Sequence, residues 1–473
     1  MQITIISNGS TRATYLKNLF VLPALIASLG LTPAGRVKAQ NFTNLHSFGF
    51  EGATPYSGLT VSGSTLYGTV NSGGNSGYGT VFAVSTNGTG FTSLYDFTGL
   101  IPPDYTNSDG ARPRAGLLLS GNTLYGTTQR GGGSDKGTVF AVNTDGGGFM
   151  TLHTFTNGSD GATPYAGVIL AGDTLYGTAS AGGSSGNGTV FAVKTNGTGF
   201  TTLHSFAVSD GAIPYGGLVL SGNNLYGTTE YSLSGNGEVF KLSTNGTGFA
   251  ILHSFTYSDG SQPWAGLILS GNALYGTTSS GGSSGNGSVF ALNTDGSGFT
   301  NLHSFSYPDG VAPYAGLVLS GNTLYGTATG GGTSPGDGTV FAVHTDGTGF
   351  TNLHTFTPIS GGPSYSNSDG AHPYGGLVLS GNTLYGTALD GGTSGKGVVF
   401  SLSFPPPPPQ LNIASAGAQS VLFWPASGTN FILQSTTNLS SPNWVTATDA
   451  VPVLAFTVTN TSPARFFRLH QQQ

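Results

Sequence analysis

From residue 41 onward the chain alternates short apolar runs with glycine-, serine- and asparagine-rich punctuation, and the same unit recurs. In "GLVLSG", "NTLYGTT", "GTVFAVNT" and "GFTNLHSF" apolar residues alternate with small or polar ones. That is the period of a half-buried strand, and no long helical period appears. The joints between them are also legible. "SGNT" and "TDGTGF" read as tight Asn/Asp-Gly hairpins, and "SGGSSGNG" as a longer glycine-rich loop. The pattern predicts an all-β fold built from four-stranded antiparallel units.

"LYGT" begins at Leu66, Leu124, Leu175, Leu225, Leu274, Leu324 and Leu384, mostly about 50 residues apart. Four strands per unit of that length is the blade of a β-propeller. The ends of the array predict closure. The chain enters on a lone fourth strand, "NFTNLHSF" (Asn41 to Phe48), and leaves after a third, "VVFSLS" (Val398 to Ser403). The expected fold is therefore a seven-bladed β-propeller over residues 40–404, its seventh blade closed by strands from both ends. An open β-solenoid would not need complementary half-blades.

The repeated "LYGTT-GG-GTVFAV-TDGTGF-LHSF" unit resembles the repeat of the bacterial GloVer tandem-repeat (choice-of-anchor) family, exported proteins with varied C-terminal segments. The likeness covers residues 41–404 and implies a propeller-like exported protein; it brings no defined activity and no set of functional residues. The cadence is also similar to kelch and quinoprotein blades, from which only shape is carried over.

Composition adds a compartment. Arg12 and Lys17, the apolar run Leu19 to Leu31, and Val37-Lys38-Ala39 before Gln40 read as a secretory signal over residues 1–39. That run is too short to span a bilayer, and no transmembrane segment is expected elsewhere. Removing it leaves 9 basic against 19 acidic residues, a formal charge of −10. Such a balance argues against nucleic acid and anionic membranes as partners. The chain has no cysteine, so packing and β ladders must stabilise it. The expected location is extracellular, periplasmic or at the cell surface.

"PPPPP" (405–409) reads as a stiff linker. Residues 410–473 alternate in short β segments with Trp424 and Trp444 as expected core anchors. This tail resembles a small fibronectin- or Ig-like β-sandwich.

In an up-and-down blade the "SDGxxPY" links and the glycine-rich loops share one face of the ring, the tight hairpins the other. The insertions "GLIPPDYTN" (Gly99 to Asn107) and "PISGGPSYSN" (Pro358 to Asn367) join the loop-rich face, which is where binding is expected. Asp109, Asp160, Asp210, Asp259, Asp309 and Asp369, with Glu51, occupy one repeated turn position and read as architecture. His46, His153, His204, His253, His303 and His354, with Tyr95 in their place once, lack metal-ligand spacing and read as structural. No metal or cofactor is expected.

The residue after each proline varies while its turn does not. It reads Tyr56, Arg114, Tyr165, Tyr215, Trp264, Tyr314 and Tyr374. These seven are expected to ring a mouth of the central channel, as plugs between blades or as a platform for sugar rings. Arg112, Arg114 and Arg130 are the propeller's only arginines and are candidates for contact with an anion or uronate. Glu230 and Glu238 bound the atypical "EYSLSGNGE" loop and are weak candidates for an acid/base pair. The reading is an exported, non-catalytic binding or surface-structural propeller that recognises polysaccharide or another surface protein. The alternative is a carbohydrate-active hydrolase or lyase on the same scaffold.

Overall fold

The computed structural model describes residues 41–333, 336–359 and 365–405, together with strands at 3–5, 412–416, 419–423, 431–436, 445–446, 455–459 and 465–471. The chain divides into two compact units, Ala34–Phe404 and Met1–Pro33 with Pro405–Gln473.

The larger unit contains seven four-stranded antiparallel sheets. Blade 1 runs Thr60–Ser62, Thr65–Val70, Thr80–Ser85 and Thr92–Asp96, and blades 2 to 6 repeat it. Blade 7 takes Val378–Ser380, Thr383–Ala388 and Val398–Ser403 from one end of the array and Asn41–Ser47 from the other. Its closing ladder pairs Asn41 with Ser403 and Ser47 with Val398. The seven-bladed ring with a shared last blade is as the strand count predicts.

The blades pack through the residues that make "LYGT" and "TVF" recur. Leu66 and its six counterparts are fully buried, as are Phe82 and its counterparts. Each second strand carries glycine because the tip of the third strand's phenylalanine ring occupies the space a side chain would need. A Cβ on Gly68 would stand 2.6 Å from Phe82 Cζ. Each apolar cluster straddles two neighbouring blades; at the closure, Tyr385 and Val399 of blade 7 join Phe48, Leu66 and Phe82. The buried threonine of "LYGT" donates across each junction to a carbonyl just before the innermost strand of the next blade. Thr69 reaches Ala115 O at 3.1 Å, and Thr387 completes the circle on Ser57 O at 2.7 Å.

The smaller unit has two antiparallel sheets. One orders Ile3–Ile5, Arg465–Gln471, Phe431–Thr436 and Val445–Thr446; the other orders Asn412–Ala416, Gln419–Phe423 and Ala455–Thr459. Trp424, Trp444, residues 1–2 and 6–39 of the expected signal, 360–364 of the second insertion and 406–409 of the proline run lie outside the described residues.

Candidate ligand-binding face

An outer ring of side chains is built into every link between blades. The turn acid accepts a backbone N–H from its own link, as Asp109 Oδ2 does from Thr98 at 2.8 Å and Asp259 Oδ1 from Thr256 at 2.8 Å. Its carboxylate also meets the histidine of the preceding fourth strand. Nε2 to acid-oxygen distances are 3.2 Å for His46–Glu51, 3.3 Å for His153–Asp160 and 3.0 Å for His354–Asp369. Each imidazole then stacks on the phenylalanine that opens the fourth-strand segment of the next blade, His153 on Phe200 at 3.6 Å and His354 on Phe42 at 3.9 Å. Where tyrosine replaces histidine, Tyr95 makes both contacts, with Asp109 at 2.9 Å and Phe149 at 3.8 Å. Sequence reasoning treated acid and histidine separately; their equal recurrence was the available signal for pairing them.

The two insertions are fastened by a common device. Asn107 donates to Thr98 O and Gly110 O and accepts from the N–H of Gly110 and Gly132. Asn367 does the same with Thr357, Gly370 and Gly392. In links without an insertion a backbone carbonyl takes part of that role, as Tyr257 O does for Gly282 N.

The inner ring follows from the turn before each innermost strand. The residue preceding the proline is left-handed in every blade: Thr54, Arg112, Thr163, Ile213, Gln262, Ala312 and His372 have φ between 52° and 58°. For β-branched residues this is strained, costing on the order of 1–3 kcal/mol. The strain is offset because the position stitches two blades. Arg112 N–H reaches Tyr78 O of the preceding blade at 2.8 Å, while its carbonyl receives Gln129 N–H at 3.2 Å. Its side chain is exposed.

The next residue beyond the proline enters the ring, and the structure brings all seven together. Ring centroids of Tyr165 and Tyr215 are 4.6 Å apart, Tyr215 and Trp264 4.2 Å, Trp264 and Tyr314 5.1 Å, Tyr314 and Tyr374 4.6 Å, and Tyr374 and Tyr56 5.4 Å. Arg114 closes the gap, its guanidinium carbon 4.1 Å from the Tyr56 ring and 5.3 Å from Tyr165. All seven side chains are half-buried. They form an unbroken collar.

Behind it lies a second variable position, the residue after "LYGTx", which the sequence reading passed over except at Glu230. Gln129 Nε2 donates to Tyr165 OH at 2.7 Å, and Trp264 Nε1 donates to Glu230 Oε1 at 3.1 Å. Glu230 is only 5% exposed, and burial pushes its carboxyl up to about 7 against the opposing bonds from Trp264 and Tyr231. Burial, with Tyr165, Glu230 and Tyr231 nearby, likewise pushes the Tyr215 phenol up to about 12. The signal for this second ring was variation directly after an unvarying motif.

The other candidates separate. Glu238 starts a third strand where blade 2 has Thr138, is buried, and accepts from Ser254 at 3.3 Å. It shares no partner with Glu230. Arg130 is forked on Asp135, with Nε 3.0 and 2.9 Å from the two carboxylate oxygens. No group of three residues able to hold a metal ion gathers among the described residues.

The class this architecture defines is a closed seven-bladed β-propeller carrying a polar-edged aromatic collar on one face. The Gloeobacter/Verrucomicrobia repeat matches residues 100–260 and 232–411, and the chain belongs to that family. No curated protein matches its sequence. Among solved structures it is similar to an oligogalacturonate lyase in complex with manganese, at 12% identity over 78% of this chain and 93% of that one, with a TM-score of 0.50. A 6-phosphogluconolactonase-like protein of Bacteroides uniformis shares 16% identity over 85% and 99% of the two chains, with a TM-score of 0.42. A chain of a nidogen/laminin complex shares 17% over 59% and 91%, with a TM-score of 0.40. These likenesses show the fold alone.

Proposed function

We propose that the protein is an exported, non-catalytic binding module whose loop-rich face takes carbohydrate at the collar, with the C-terminal segment as a small fibronectin- or Ig-like sandwich that attaches it to a surface. The observation that carries this reading is the unbroken ring of half-buried aromatic side chains closed by Arg114. Tyrosine and tryptophan pair an apolar body with a polar tip, as sugar rings require of a partner. The links that lead to the collar also expose Phe50, Tyr257, Tyr307 and Tyr365 to solvent, further apolar surface on the same loops. The test is a glycan array on the full-length protein, read for both retention and released product. Trp264→Ala should weaken retention by about 1–3 kcal/mol, the effect of removing an anchor, and unchanged retention defeats the reading.

One observation favours a second reading, a hydrolase or lyase. Glu230 is a buried carboxyl shifted toward neutrality and held by an indole at the collar, as a general acid would be. Loss of product release in Glu230→Gln with retention intact would establish it.

A further inference from the structure

We infer that the junction of blades 1 and 2 carries a slot for a single carboxylate, held by the Arg114 guanidinium and the Asn71 amide. The inference rests on the collar being a carbohydrate site, and it makes the ligand an acidic sugar.

The three junctions that carry long polar side chains share one backbone geometry. A Cβ on Gly79 would lie 2.7 Å from Pro113 Cδ and 3.0 Å from Asn71 O. The same construction on Gly137 gives 2.8 Å to Pro164 Cδ and 3.1 Å to Gln129 O, and on Gly237 gives 2.6 Å to Pro263 Cδ and 2.7 Å to Glu230 O. Asn71 therefore stands to Arg114 as Gln129 stands to Tyr165 and Glu230 to Trp264. In the last two junctions a donor meets an acceptor: amide on phenol at 2.7 Å, indole on carboxyl at 3.1 Å.

At the first junction that complementarity fails. Asn71 and Arg114 make no hydrogen bond to each other, and Asn71 Nδ2 and Arg114 Nε are both buried with no hydrogen-bond partner. Asn71 is only 8% exposed, so its amide stands at the edge of the collar and not in open solvent. Buried donors are ordinarily satisfied, and two left over at one junction call for an acceptor that the fold does not supply. The cation is not neutralised within the fold either. Among the described residues the one arginine in an ion pair is Arg130, with Asp135. Arg114 is instead braced between the faces of Tyr56 and Tyr165, which orients its planar fork without consuming its N–H groups. A carboxylate suits this set: two oxygens, one negative charge, and a planar shape matched to guanidinium.

The slot can be filled from within. In the full-length protein Asn71→Asp places a carboxylate against Arg114, and its melting temperature should rise, whereas Asn71→Leu should not raise it. The probe ligand is sodium glucuronate, with glucose as the neutral control and ionic strength held constant with NaCl. Glucuronate should raise the melting temperature of the wild type by about 2 °C or more at tens of millimolar, and glucose by less. The glucuronate shift should vanish in Arg114→Gln and in Asn71→Asp. A melting temperature unchanged or lowered by Asn71→Asp overturns the slot, as does a glucuronate shift that is absent or survives Arg114→Gln. If these arms succeed while the array retains no glycan, the slot stands and the collar's carbohydrate role falls; retention of neutral glycans with no Arg114-dependent shift does the reverse.

Discussion

His253 lies in the fourth strand of blade 4, and a short link further on Trp264 stands in the collar of blade 5. Both are aromatic, both stack, and both meet a carboxyl group, yet they differ in what happens elsewhere in the ring. His253 lies 3.7 Å from Phe299 at a 5° interplanar angle, with Nε2 3.2 Å from Asp259. That arrangement is repeated at each junction, and Tyr95 preserves it when the residue changes. Trp264 lies 4.2 Å from Tyr215 and bonds to Glu230, an arrangement found at no other junction. The outer ring repeats one set of contacts, an imidazole stacked on phenylalanine with Nε2 beside the turn acid, hydrogen-bonded at His46, His153 and His354 and in ion-pair range at His204, His253 and His303, whereas the inner ring changes its side chains from junction to junction. Repetition of one arrangement marks architecture, and variation on an unvarying turn marks a surface shaped toward something outside the chain.

The largest effect should come from breaking the outer ring at its seam. Deleting residues 41–47 removes the closing ladder of blade 7 and the Phe42–His354 stack. With Phe42 and Leu45 packed at the last two junctions, the loss should reach about 3–6 kcal/mol, from roughly 1.5–3 kcal/mol per large apolar side chain. The exposed edge should also drive self-association. Thermal melts and size-exclusion chromatography check both outcomes.

Glu230→Gln tests whether the inner ring carries strain. The carboxyl titrates near 7 in the fold against an ordinary value of 4.5. Its stabilising contribution is therefore full below pH 4.5 and lost as pH rises through about 7. Glutamine can keep the Trp264 bond without ionising, so the variant should match the wild type at pH 4.5 and exceed it at pH 8.5. The gain should be up to ~3 kcal/mol, at 1.36 kcal/mol per unit. A melt series across that range reads the crossover.

His253→Ala should cost about 1–3 kcal/mol of stability and leave collar binding unchanged. Acidification reaches the same ring. Burial holds His46, His153, His204, His253 and His303 below the ordinary value of 6.5, against the pull of their acid partners. Their contribution is present above pH 6.5 and lost as pH falls through the lower folded values. Melting temperature should drop on that limb, less steeply in His253→Ala. The smallest effect belongs to Asp259→Asn, about 1 kcal/mol or less, because the amide oxygen can still accept from Thr256. A larger loss, or any loss of ligand retention, would move this acid from architecture to function.

Much of the fold is legible without coordinates because each blade is a local object. Its strands pair with their chain neighbours, so alternation, turn residues and a fixed repeat length specify them, and the unmatched half-blades at Asn41 and Ser403 specify closure. The seven collar positions were legible as well, since the residue after each proline is the one that changes. The pairing of His153 with Asp160, the threonine bridge from Thr387 to Ser57, and the sorting of the arginines were not. Arg112, Arg114 and Arg130 look alike along the chain, but one is exposed, one stands in the collar, and one is held by Asp135.

The sequence by itself determined the number of blades, their strand order, the seam, and which turn position would vary. These rest on backbone geometry and side-chain period, which act over a few residues. Only the tertiary structure decided which variable residues face one another, because the partners come from neighbouring blades some fifty residues apart. Whether the Asn71 amide finds a partner depends on the side chain the next blade presents, and hydrogen bonding is settled by that meeting, not by either residue alone.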